Sequence, residues 1–237
     1  MSVLMISGTN TEIGKTVTTA AIAAVALAAG RSVAVLKPAQ TGVGMGEPGD
    51  VAEVTRLAGP VTGRELARFP EPLAPATAAR RAGMTPVRPK EVAAAAEELA
   101  AEHDLVLVEG AGGLLVRLDG EGGTLADAAA LLDAPVLVVA QPNLGTLNIT
   151  QLTAEALTAR GVRCAGVVIG SWPTQPDLAM RCNVAEFPEM AGAPLLGAVP
   201  RHAGSLPPAT FRTEAAGWLS PELGGSWNAA EFGAALG

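Results

Sequence analysis

The stretch ISGTNTEIGKTVTTA, residues Ile6 to Ala20, decides how the rest of the chain is read. An apolar run, VLMIS from Val3 to Ser7, leads into a Gly-bounded turn and then an Ala-rich segment, Thr16 to Ala29, that stops at Gly30. Strand, Gly-rich turn and helix, in that order, is the setting in which Gly-Lys-Thr reads as a phosphate loop. Successive N–H groups of such a loop point inward at an anion, and the helix N-terminus adds positive potential. Lys15 then neutralises the β and γ phosphates, and Thr16 offers its hydroxyl to Mg²⁺. The usual pattern has four residues between its glycines; here five, Thr9 to Ile13, separate Gly8 from Gly14. The extra length makes the loop polar and acidic, through Thr9, Asn10, Thr11 and Glu12. A carboxylate repels triphosphate, so Glu12 reads as facing a cation, a loop amide or an amine substrate. The plainer alternative is a solvated Glu on a turn.

Working outward, short Val-rich runs recur at Ser32 to Lys37, Leu105 to Gly110, Pro135 to Ala140, Ala165 to Gly170 and Pro194 to Val199. They are apolar on both faces, as strands of a parallel sheet covered on both sides must be. Helical patterns fall between them: Lys90 to His103, Leu125 to Leu132 and Asn148 to Arg160. The expected fold is α/β: three layers, a mostly parallel sheet flanked by helices, of the P-loop NTPase type. The whole chain, residues 1–237, reads as a single P-loop domain. Gly42 to Gly49 and Phe69 to Pro89 read as long loops of the kind that often carry function. The segment after Arg201 is too weakly patterned to assign.

The chain is 49% hydrophobic, with four Phe, three Trp and no Tyr, which favours close-packed aliphatic layers over an aromatic-lined cavity. Its net charge of −7 and the absence of Lys/Arg runs argue against a nucleic-acid or anionic-membrane surface. No apolar run reaches the roughly 18 residues of a membrane span. Without a secretory pattern at its start, the chain reads as cytoplasmic, with Cys164 and Cys182 as reduced thiols.

Two further polar residues sit where an α/β sheet binds ligands, at the carboxyl ends of strands. Lys37 closes the second strand in LKPAQTG, with Thr41 in the following loop. Glu109 closes another in LVLVEGAGG; a buried carboxylate needs a partner, and Mg²⁺ beside a triphosphate supplies one. Asp50, in GDVAEV, starts a helix and reads equally as an N-cap or as a metal ligand. Thr16, Asp50 and Glu109 together would make an oxygen-rich Mg²⁺ site.

The series GTNTEIGKT (Gly8 to Thr16), KPAQTG (Lys37 to Gly42), Glu71-Pro72, VEGAGG (Val108 to Gly113) and NLGTLN (Asn143 to Asn148) resembles the dethiobiotin synthetase family, in order, to about Pro200. That resemblance implies a ligase of biotin synthesis. It carboxylates 7,8-diaminononanoate with CO₂ and closes the ureido ring, using Mg²⁺ and a nucleoside triphosphate, in a homodimer whose substrate lies across the subunit interface. It implies Lys37, Lys15, Thr11 and Glu12 as catalytic groups. Nucleotide contacts would come from Asn10 to Val17 (through Ile13, Gly14, Lys15 and Thr16), and from Gly170, Val199, Pro200 and Arg201. Substrate contacts would come from Thr11, Lys37, Thr41, Glu109 and Gly112, and from Leu144, Gly145, Thr146, Leu147 and Asn148 at a helix N-terminus. Thr16, Asp50 and Glu109 would hold Mg²⁺.

One departure concerns the base. Many members of the family carry Asn-Asp after the fifth strand, the Asn reading adenine; here stand Gly170 and Ser171, then Trp172. A site without that amide loses base discrimination, so the expectation is relaxed preference among ATP, CTP and GTP, with Trp172 narrowing the base pocket. The rival reading is a switch ATPase of the partition or division-site type acting as a binding module. Such proteins carry Lys where Thr9 stands, and often a basic face or a C-terminal membrane helix, neither of which this acidic chain offers. A glutamine-dependent amidase of the same superfamily would need a further domain with a Cys nucleophile.

Overall fold

A computed structural model describes residues 3–236. Seven strands form one sheet: β1 (Val3–Gly8), β2 (Val33–Thr41), β3 (Thr62–Phe69), β4 (Leu105–Gly113), β5 (Val136–Ala140), β6 (Cys164–Trp172) and β7 (Leu195–Pro200). All pairings are parallel, in the order β3-β2-β4-β1-β5-β6-β7. Nine helices cover it: α1 (Lys15–Ala28), α2 (Asp50–Ala58), α3 (Pro75–Ala82), α4 (Pro89–Ala100), α5 (Leu125–Leu131), α6 (Thr146–Thr158), α7 (Leu178–Ala191), α8 (Pro208–Glu214) and α9 (Ala229–Ala234) among the described residues. The expected three-layer α/β fold is present.

The period-two alternation of the strands divides the core. Leu4, Ile6, Val35, Leu107 and Val139 join the cluster under α1. Met5, Leu36, Val106, Val108 and Val138 join the opposite cluster under α4 and α5. Successive side chains of a strand point to opposite faces, so a doubly covered strand is apolar at every position.

The differences from expectation have physical causes. β3 was not anticipated because TGRELARF is an edge strand, paired only with β2 and largely half-exposed, so no apolar run marks it. Phe69 to Pro89 is not all loop: α3 lies within it, entered through Pro75 in its first turn. The helix expected to reach His103 ends at Ala100, and the His103 ring instead meets the Leu99 carbonyl at 2.9 Å. β2 continues past Lys37 to Thr41 even though Pro38 can donate no ladder bond; the pairing of β2 with β4 stops at Leu36, before it. After Arg201 the chain forms α8, α9 and three short 3-10 turns. The Trp172 ring packs edge-on against Phe232 of α9, with centroids 5.1 Å apart. Cys164 and Cys182 are free thiols. Among the described residues no helix is long and apolar enough to cross a membrane.

Candidate active site

Strand order builds the site. β2, β4 and β1 are neighbours, so Lys37, Glu109 and the loop after Gly8 reach the same sheet edge although far apart in sequence. The loop is tied to the sheet where Thr9 N–H donates to the Val139 carbonyl at 2.9 Å. It enters α1 through Gly14 at φ 95°, a left-handed conformation that glycine adopts without strain. A Cβ on Gly14 would also collide with the Gly170 carbonyl oxygen of β6, and a Cβ on Gly170 with the Ile13 carbonyl oxygen. Loop and strand backbones are thus in direct contact. Glu12 adopts φ 55°, uncommon for a residue with a side chain, and stands exposed at the rim.

Lys37 is the hub. It is 3% exposed; its ammonium lies 2.5 Å from Asp50 Oδ2 and donates at 3.0 Å each to Glu109 Oε1 and the Gly110 carbonyl. Burial works against that charge, but the Glu109 and Asp50 carboxylates together outweigh it and hold the ammonium above the ordinary lysine value. Glu109, 1% exposed, accepts on Oε1 from Thr16 Oγ1 at 2.9 Å and on Oε2 from Thr19 Oγ1 at 2.7 Å. Lys15 donates to the Asn10 carbonyl at 2.8 Å. Burial, helped by repulsion from Lys37, pushes its ammonium down to about 8, against weaker opposite pulls from Glu109 and Asp50.

Asp50 is not the cap of α2. Gly49, not Asp50, is the N-cap of α2, and no side chain caps that terminus. The Asp50 carboxylate instead pairs with Lys37, while its N–H is held at 2.8 Å by Gln40 Oε1. Arg68 fastens the preceding loop by donating to the Gly44 and Glu47 carbonyls at 3.1 and 2.7 Å.

These groups open onto a cleft of about 930 Å³ lined by Asn10 through Val17, Lys37, Thr41, Asp50, Pro72, Glu109 and Gly112, among others. The expected phosphate, metal and inner substrate residues are therefore together. The rest are not: Gly170 lies beneath the loop, Val199 and Pro200 are on β7, Arg201 follows it, and Leu144 to Asn148 lead into α6. β5, β6 and β7 all lie across β1 from Lys37, which places these positions on the other half of the sheet edge. Leu144 is 86% exposed and is not among the residues that line the cleft. Among the described residues no three His, Cys, Asp or Glu side chains converge as a metal cluster. The hydroxyl of Thr16 and the carboxylates of Asp50 and Glu109 nevertheless form a hard, all-oxygen donor set around Lys37, which fits Mg²⁺ with waters and phosphate oxygens completing the shell. Sequence reasoning missed Thr19, Gln40 and Arg68. Only Thr19 left a signal, lying three residues beyond Thr16 on the same helix face.

Parallel sheet, elongated phosphate loop and buried lysine–carboxylate hub define a nucleotide-handling α/β protein. A model of the AAA domain matches residues 2–209. Among solved structures, a ParA family ATPase from Chlorobium tepidum TLS superposes with TM-score 0.55 at 15% identity, over 90% of each chain. The cell division ATPase MinD of Pyrococcus furiosus gives 0.55 at 16%, over 90% of this chain and 92% of that one. At such identities the likeness is one of fold alone. The ATP-dependent dethiobiotin synthetase BioD of Streptomyces coelicolor is 68% identical over 233 residues, 98% of both chains. That of Streptomyces avermitilis is 70% identical over 236 residues, 100% of this chain and 99% of the other. The chain belongs to the ATP-dependent dethiobiotin synthetase family and is an enzyme of the ligase class. The switch-ATPase reading is not favoured, because only fold, not sequence, links the chain to those proteins.

Proposed function

We propose that this enzyme carboxylates 7,8-diaminononanoate with CO₂ and closes the ureido ring to dethiobiotin, converting a nucleoside triphosphate to diphosphate and phosphate with Mg²⁺. The observation that carries the reading is the buried ammonium of Lys37, held by Asp50 and Glu109 at the floor of a cleft rimmed by the phosphate loop. Such a group is already oriented and desolvated where anionic charge must develop.

In this scheme one substrate amine adds CO₂ to give a carbamate at the inner end of the cleft. Thr11 and Thr41 orient it, and Lys37 balances its charge. The loop amides and Lys15 hold the triphosphate so that the carbamate oxygen attacks the γ-phosphorus; the P–O bond to the diphosphate breaks as the new one forms. The second amine then attacks the activated carbonyl carbon, phosphate leaves, and the ring closes. Glu12 faces the amine end. Thr16, Asp50 and Glu109 would hold Mg²⁺, which supplies Lewis-acid polarisation of phosphate oxygens. The N-terminal amides of α6, from Leu144 to Asn148, take the substrate carboxylate from a partner subunit; the exposure of Leu144, outside the cleft lining, supports this reading. The whole chain acts as one P-loop domain within a homodimer.

Base selection is relaxed in this scheme. Gly170 supplies no side-chain amide, and the contact between its backbone and Ile13 leaves no room for one. Backbone groups near Gly170 and from Val199 to Arg201 then meet the base.

The test is phosphate release with Mg²⁺, bicarbonate and each of ATP, CTP and GTP, with and without the diamine. Release that requires the diamine, at rates within about tenfold across nucleotides, is expected. Release that ignores the diamine overturns the function, and a larger preference for ATP overturns the relaxed base selection.

A further inference from the structure

Thr19 is fully buried one turn beyond Thr16 on α1. Its hydroxyl has two acceptors within reach. The Lys15 carbonyl, at 3.0 Å, is the neutral partner that a helical threonine ordinarily takes. Glu109 Oε2, at 2.7 Å, is the closer one, as a charge-assisted bond should be. Thr16 and Lys37 both meet the other oxygen, Oε1. The two oxygens of this buried carboxylate therefore have different duties. Oε1 is shared among the polar groups of the cleft, and Oε2 is held by α1.

We propose that Thr19 is a positioning residue that restricts Glu109 to one-oxygen ligation and thereby favours Mg²⁺ over Ca²⁺ in this site. The proposal rests on the reading of Glu109 as a ligand of the divalent cation. Mg²⁺ takes an octahedral shell at about 2.0–2.1 Å, whereas Ca²⁺ takes roughly six to eight oxygens at about 2.3–2.6 Å and readily accepts both oxygens of one carboxylate. The narrow bite of a carboxylate does not span two octahedral positions, so a second free oxygen is of little use to Mg²⁺ and of direct use to Ca²⁺. Tying Oε2 to Thr19 withholds it. Thr16 cannot serve the same purpose, since its own hydroxyl is one of the groups offered to the cation.

The test uses the full chain with ADP and Mn²⁺ as the paramagnetic probe. Mn²⁺ is displaced by Mg²⁺ or by Ca²⁺, with bound Mn²⁺ read by electron paramagnetic resonance. In Thr19→Val, which keeps the shape and loses the hydroxyl, the Mg²⁺-to-Ca²⁺ affinity ratio is expected to fall by about tenfold, the scale of one charge-assisted hydrogen bond. Thr19→Ser, which keeps the hydroxyl, should retain the wild-type ratio. Thr19→Ala repeats the measurement should the valine variant fold poorly, with thermal melting reporting the fold of each. An unchanged ratio in the variants lacking the hydroxyl overturns the proposal. Glu109→Gln separates the two levels. If it leaves Mn²⁺ affinity intact, the ligand reading falls and the proposal with it. If it weakens Mn²⁺ while the Thr19 variants keep the ratio, only the positioning role falls.

Discussion

Lys37 shows what one residue contributes at this site. Two carboxylates, one of them almost wholly buried, depend on its ammonium for their charge balance. Removing one member of a buried ion pair costs about 3–5 kcal/mol, because the partner is left uncompensated. Lys37→Met should therefore melt earlier by several degrees and lose on the order of 10²–10³ in turnover, the scale set by removal of one preorganised charge donor. Calorimetry and phosphate release together check this, and a folded variant with near-normal turnover would remove Lys37 from the mechanism.

Lys15 differs in sign. Its folded pKa, about 8, lies below the ordinary 10.5. Between those values the unfolded chain binds more protons than the folded one, so this group adds stability as pH rises from about 8 to 10.5 and adds none below. A triphosphate demands the charged lysine. Nucleotide binding should accordingly take up protons near pH 8 and weaken above it. Calorimetric titration in buffers of different ionisation enthalpy measures the uptake, and its absence at pH 8.5 would count against a depressed Lys15.

At the scale of elements, the contact between the phosphate loop and β6 is the decisive one. Ile13, Gly14 and Gly170 meet backbone to backbone, so neither glycine position accepts a Cβ without displacing the loop. Gly170→Asn, which restores the residue many synthetases carry there, is thus expected to weaken ATP, CTP and GTP alike by about tenfold or more, the cost of forcing atoms into a filled contact. A selective gain for ATP in nucleotide titrations would show that the loop yields and the amide reaches the base. Elements also differed in how legible they were. β1, β4 and β5 are central and dry on both faces, so their apolar runs revealed them. β3 pairs on one side only, and its polar residues Arg64, Glu65 and Arg68 concealed it. Asp50, read equally as an N-cap or a metal ligand, is one residue past the N-cap of α2 and beside Lys37.

For the whole molecule, the seven strands divide the site at β1. Lys37 and Glu109 stand on one side, while Gly170, β7 and the start of α6 stand on the other. Residues from Leu144 to Asn148 lie outside the cleft, and Leu144, Ile149 and Leu152 are exposed apolar side chains around the first turns of α6. In the homodimer proposed above, a second subunit covering that face would complete the substrate site and bury them. Leu152→Glu is expected to yield a monomer by light scattering that binds nucleotide normally yet shows little diamine-dependent phosphate release. A variant that stays dimeric with full turnover would place the interface elsewhere.

The elongated loop and the apolar strand runs were decided by local sequence, because hydrophobic periodicity and a Gly-bounded turn act over a few residues; Lys37 and Glu109, read as closing their strands, stand four residues before the ends of β2 and β4. The order of family motifs was equally legible. Which strands lie side by side was not. The tertiary structure alone put β4 between β1 and β2, set Asp50 beside Lys37, and brought Thr19 onto Glu109. It also pressed Gly170 against the loop. Each of these joins residues distant in sequence, and a contact of that kind is decided only when packing of the sheet and its two helical layers fixes which strand ends become neighbours.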